Sequence, residues 1–155
     1  MGRAMFYHLT RRPLEATLPG LLNKALQSGW RVVVRGSDPA RLDWLDQRLW
    51  LEPQEGFLPH GLAGGPHDSD QPVLLTDSTR ILNGAACLMA IDGAPVDAAE
   101  AAGLERVCIL FDGHDATAVA GARAQWSALV EAGIHAQYWS EASGRWQMQA
   151  ERSPA

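Results

Sequence analysis

Apolar positions along the chain switch repeatedly between runs of strand length and a period of three to four residues. Residues 4–10 (AMFYHLT) form an apolar, aromatic-rich run stopped by Arg11, Arg12 and Pro13, which predicts a buried first strand. The period then lengthens. Leu14, Leu18, Leu21, Leu22, Ala25 and Leu26 recur at helical spacing and predict one apolar helix face, with Pro13 at the first helical position and Ser28-Gly29 as the close. Pro19 falls inside that helix; it lacks an N–H and its ring crowds the preceding turn, so a kink or a later start is expected. Residues 31–36 (RVVVRG) predict a second strand, and Ser37-Asp38-Pro39 supplies a cap and a first-turn proline for a helix whose inner face is Leu42, Leu45 and Leu49. Trp44 and Trp50 lie beside that stripe.

The segment 51–71 is rich in proline and glycine and has no regular period, so it predicts a long loop of the kind that usually carries function. Residues 72–76, 85–91 and 106–111 are continuous apolar runs, as expected for strands covered on both faces. An alanine-rich stretch, 96–103, predicts a short helix between the last two. Asp115 is placed to cap the final helix, which has Val119, Ala122, Trp126, Leu129 and Gly133 along one side. Residues 135–139, followed by 145–148, predict short terminal strands. Alternation of buried-type strands with helices defines an α/β fold: a Rossmann-like, open, largely parallel sheet flanked by helices. Residues 1–149 are expected to form a single domain, with 150–155 a frayed, disordered C-terminal tail.

With 46% hydrophobic and 20% charged residues, the composition is that of an ordinary globular protein. The longest apolar run, 85–91, is far below the roughly 20 residues that span a bilayer, and the first residues do not read as a secretory signal. A cytoplasmic protein with no membrane contact is expected. Two cysteines, Cys87 and Cys108, sit inside apolar runs without a CxxC pair and read as packed thiols. Formal net charge is −5, which argues against broad neutralisation of phosphates and hence against direct nucleic-acid binding. Its distribution is uneven: residues 1–50 carry +4, residues 51–118 carry −9 and the remainder is balanced. An anionic partner would therefore meet a few placed arginines, and a protein partner fits better than a duplex.

Reactive constellations are hard to find. The first strand-to-helix turn, Thr10-Arg11-Arg12-Pro13, contains no glycine, and neither GxGxxG nor GxxxxGK[ST] occurs, so no pyrophosphate cradle is expected. His60, His67, Asp68 and Asp70 lack the spacing of a zinc site. There is no GxSxG elbow. One alternative stays open: a nucleotide- or metal-dependent enzyme using the turn Asp112, His114 and Asp115, although a strand-end Asp-Gly turn followed by a capping Asp explains those residues structurally. The leading expectation is no active site, no metal and no cofactor.

The loop after the second helix combines Trp50, Pro53, Phe57, Leu58, Pro59 and Leu62 with glycines, so it either folds back over the core or offers a patch to a partner. Here ARLDWLDQRLWLEPQEGFLPHGLAGG, followed by QPVLL, resembles the chi subunit family of bacterial DNA polymerase III. Agreement extends to Phe6-Tyr7, to residues 29–34 and to residues 123–133, nearly the whole chain. The resemblance implies a non-catalytic, Rossmann-like accessory subunit in the clamp-loader part of the replicative holoenzyme. Such a subunit bridges the psi subunit and the acidic, phenylalanine-ended C-terminal tail of single-stranded DNA-binding protein. It implies psi contact at Trp50, Pro53, Phe57, Leu58, Pro59 and His60. Tail contact is implied at Val119, Arg123, Trp126, Ser127 and Val130 on the last helix, with Ser127 and Val119 standing where the family often has basic residues. Trp126 read from the sequence alone is equally a plain core tryptophan.

Overall fold

The computed structural model describes residues 2–51, 59–141 and 144–153. Its first half runs β1 (Arg3–Leu9), α1 (Leu14–Gln27), β2 (Val32–Arg35), α2 (Pro39–Leu51), β3 (Gly61–Leu62) and β4 (Val73–Thr76), with a 3-10 turn at Asp68–Asp70. The second half runs β5 (Cys87–Ala90), α3 (Ala98–Gly103), β6 (Arg106–Asp112), α4 (Ala116–Glu131), β7 (His135–Ser140) and β8 (Gln147–Arg152). These strands make one eight-stranded sheet in the order β3-β4-β2-β5-β6-β1-β7-β8. All neighbours are parallel except β7 and β8. The expected α/β, open and largely parallel architecture is the one observed.

Strand order decides which face each helix covers. Crossovers between parallel strands are right-handed, so steps in opposite directions along the sheet place their helices on opposite faces. From β1 the chain steps to β2 and on towards β3 in one direction, and α1 and α2 pack on the face that carries Met5, Tyr7 and Leu9. From β5 to β6 and on to β7 it steps the other way, and α3 and α4 pack on the face of Ala4 and Phe6. The alternation of β1 therefore feeds two separate cores. All residues of β2, β4 and β5 are buried, as the continuous apolar runs require. Cys87 and Cys108 are buried free thiols on adjacent strands.

Local signals explain most boundaries. The Asp38 carboxylate accepts the Ala40 N–H at 3.0 Å at the start of α2, and Asp115 accepts from Thr117 and Ala118 at the start of α4. One buried ion pair ties the sheet to its connections. Arg35, at the end of β2, donates bidentately to Glu100 of α3 at 2.7 and 2.8 Å, and to the carbonyls of Ser78, Thr79 and Pro95. All five guanidinium N–H donors thus have acceptors in a place where the side chain is 2% exposed.

Three expectations need correction. α1 starts at Leu14 and runs through Pro19, so the later start is not found; the carbonyl left without its N–H partner belongs to Glu15, in the partly exposed first turn. Segment 51–71 is not wholly a loop, because Gly61–Leu62 adds an edge strand to β4. Residues 150–152, assigned above to a frayed tail, are in β8 and pair with β7 from Ala136 to Tyr138. The last strand accordingly begins at Gln147 instead of Arg145.

Candidate functional site

β1 and β6 stay paired to their carboxyl ends, where the chain turns to opposite faces of the sheet, into α1 and α4, and a cleft of about 900 Å³ opens there. The Asp112, His114, Asp115 turn lines it. Each of the three has a local structural partner: Asp112 accepts the His114 backbone N–H at 2.9 Å, the His114 Nε2 pairs with the Thr10 carbonyl at 2.7 Å, and Asp115 caps α4. Among the described residues, no group of three or more His, Cys, Asp or Glu is disposed to hold a metal ion.

A more organised surface lies on α4. Val119, Arg123, Trp126 and Val130 follow one another at three- and four-residue steps, so they form one stripe, and Ser127 sits one turn beyond Arg123. Val119, Trp126 and Val130 are half-buried against the second core, whereas Arg123 and Ser127 are exposed. Trp126 packs edge-on against Phe6 of β1 at 5.3 Å between ring centroids and against Tyr138 of β7 at 6.1 Å. It is a core-packed ring that keeps part of its surface exposed on the stripe. Burial pushes the Tyr138 hydroxyl pKa up, and the positive charge of Arg123 opposes that rise.

Tyr138 and His8 were not among the expected site residues, yet Tyr138 packs against Trp126 of this stripe and His8 against Tyr138. Parallel pairing sets Phe6 opposite Tyr138, and alternation puts His8 on the same face. The His8 Nδ1 bonds the Tyr138 hydroxyl, and the His8 ring also leans on Phe111 at 5.1 Å. Gly113 permits this: a Cβ there would lie 2.0 Å from the imidazole carbon of His8. The one available signal was the small residue Ala136 alternating with Tyr138, which marks a face pressed against a helix.

The end of α2 carries the second surface. Trp50 is 45% exposed and Leu51 76%, and Leu62 on the neighbouring edge strand is 38% exposed. The Trp50 indole lies over His60 at 4.1 Å between centroids with the rings 33° apart. His60 is itself only 4% exposed and its Nε2 approaches the Asp46 carbonyl at 3.1 Å and the Asp46 carboxylate at 3.3 Å. Burial raises the Asp46 carboxyl pKa, opposed by His60 and by a hydrogen bond from the Trp50 side chain. His60 therefore fastens the returning loop to α2 and props Trp50 outward. Pro59 is half-buried beside it. Pro53, Phe57 and Leu58 lie outside the described residues.

Fold and surfaces together place the chain among Rossmann-like α/β proteins, with a helix stripe and an aromatic patch as candidate sites. A family model described as DNA polymerase III chi subunit, HolC, matches residues 1–137. The chain belongs to the DNA polymerase III chi subunit family. It is also similar to a protein of Rickettsia prowazekii (strain Madrid E) named probable DNA polymerase III subunit chi, with 27% identity over 100 residues, 64% of this chain. The match spans 59% of that relative's length. No helix among the described residues is long and apolar enough to cross a membrane.

Proposed function

We propose that the chain is a non-catalytic accessory subunit of the DNA polymerase III holoenzyme, working in DNA replication within the clamp-loader complex in the cytoplasm. It bridges a psi subunit and the C-terminal tail of single-stranded DNA-binding protein, needs no cofactor, and meets nucleic acid only through these partners. Family membership over residues 1–137 supports the replication role. The α4 stripe is the observation that supports tail binding: an exposed arginine stands beside half-buried apolar and aromatic side chains. The guanidinium takes a carboxylate by charge-assisted hydrogen bonds while the apolar surface of Val119, Trp126 and Val130 takes a phenyl ring.

Psi binding is assigned to the Trp50 surface, with Pro53, Phe57, Leu58 and Pro59 as contacts. Exposed aromatic and proline-rich apolar groups are the usual centre of a stable interface. The buried His60 contributes there by holding Trp50 in place.

A peptide with the acidic, phenylalanine-ended tail tests the reading by calorimetric titration. Binding should weaken with added salt, and Arg123→Ala should cost about 1.5–3 kcal/mol, the range for hydrogen bonds to charged groups. Absence of binding at low salt, or an unchanged affinity in the variant, would remove the tail from this stripe.

A further inference from the structure

On the opposite face of the sheet, a second cleft of about 450 Å³ runs between α1 and the face formed by β5, β6, β1 and β7, and nothing in the proposed bridging role uses it. Its walls are aromatic. Tyr7, Trp30, Trp139 and Trp146 line it, with Trp146 set edge-on to Tyr7 at 5.3 Å. Among the described residues no carboxylate lines it, although the chain as a whole carries a net charge of −5; its charged lining residues are Arg12, Lys24 and Arg106.

These three cations are not equivalent. Arg12 stands before α1, at one end of the cleft, and already faces the buried Glu141 at 3.5 Å. Lys24 and Arg106 lie at the other end, near the last turn of α1, because Trp30 follows that helix directly and the Arg106 guanidinium sits over its indole at 5.2 Å. Neither Lys24 nor Arg106 has a carboxylate partner among the described residues, and the Arg106 Nε is buried with no hydrogen-bond acceptor. Two cations without a carboxylate partner at one end of an aromatic cleft favour an anion at that end by charge complementarity. The cleft follows a helix of 14 residues, roughly 20 Å at the helical rise, which matches about five or six residues of extended chain.

We infer that this cleft is a second docking site, specific for a short acidic peptide segment whose carboxylate pairs with Lys24 and Arg106 while a large apolar side chain enters between the indoles. A single-stranded nucleic acid fits less well. It needs cations spaced along a backbone, whereas the two unmatched cations here share one end.

Indole N–H resonances separate the possible sites, because Trp30, Trp139 and Trp146 report this cleft and Trp126 reports the α4 stripe. The probes are a synthetic hexapeptide of aspartates around one phenylalanine, and oligothymidylate. Peptide should shift the first three resonances. Both Lys24→Glu, an exposed helical change that leaves the fold intact, and Arg106→Gln should weaken that response roughly tenfold or more, whereas Arg123→Ala leaves it unchanged. Shifts confined to Trp126 would overturn this inference while leaving the α4 reading intact. Shifts of the three indoles with oligothymidylate but not with peptide would also overturn it, as would a peptide response indifferent to Lys24 and Arg106.

Discussion

Arg35 shows how a charge is tolerated inside this protein. Three of its five hydrogen bonds go to backbone carbonyls. The other two go to the Glu100 carboxylate, which also neutralises it, and Arg35 in turn holds the Glu100 pKa below its ordinary 4.5. A carboxyl whose folded pKa is depressed contributes stability that is complete above the ordinary value and is lost as pH falls through the lowered one. Glu100→Gln should therefore destabilise the protein by about 3 kcal/mol at neutral pH, because it leaves a buried guanidinium without its counter-charge. The same variant should lose less stability than the parent between neutral pH and pH values below 4.5. Urea unfolding at the two ends of that range checks both statements. An identical acid loss in parent and variant would mean that another carboxylate governs it.

Helix α4 depends on its first residue. Asp115 accepts two N–H groups of the first turn, which would otherwise have no intrahelical partner. Asp115→Ala should cost about 1 kcal/mol in urea unfolding, and Asp115→Asn should restore nearly all of it, since an amide oxygen caps as well as a carboxylate. Equal losses in the two variants would contradict the capping account. This cap was readable in the sequence because it is a local device, as were the amphipathic helices and the buried strands, whose apolar runs signal coverage on both faces. Elements without an apolar signal were readable in part or not at all: the expected strand 145–148 meets β8 only at residues 147–148. β8 (QMQAER) is an edge strand that is largely exposed, so alternation leaves no pattern, and its place is set by pairing with β7. β3 is two residues long and is defined only by its bonds to β4. The same reasoning covers the candidate site: the α4 stripe is a matter of helical spacing, whereas Tyr138 and His8 join it only through strand register, which depends on contacts about 130 residues apart.

The order of the strands has a consequence for the proposed bridging of two partners. α2 ends on one face of the sheet with Trp50 and Leu51, while α4 presents Arg123 on the other, and fully buried strands lie between them. Side chains with no shared neighbours contribute additively to binding, so occupancy of one surface has no direct route to alter the other. Electrostatics points the same way, because exposed charges separated by more than a Debye length of about 10 Å at 0.1 M salt scarcely interact. A bridge of this kind is a tether and not a switch. Trp50→Ser should abolish or strongly weaken binding of a psi subunit while the acidic tail peptide keeps its affinity. In a double-mutant cycle with Arg123→Ala, the losses measured for the tail should be those of Arg123→Ala alone, within about 0.5 kcal/mol. A coupling above about 1 kcal/mol would show that the two surfaces communicate through the sheet, and the tether description would have to yield to an allosteric one.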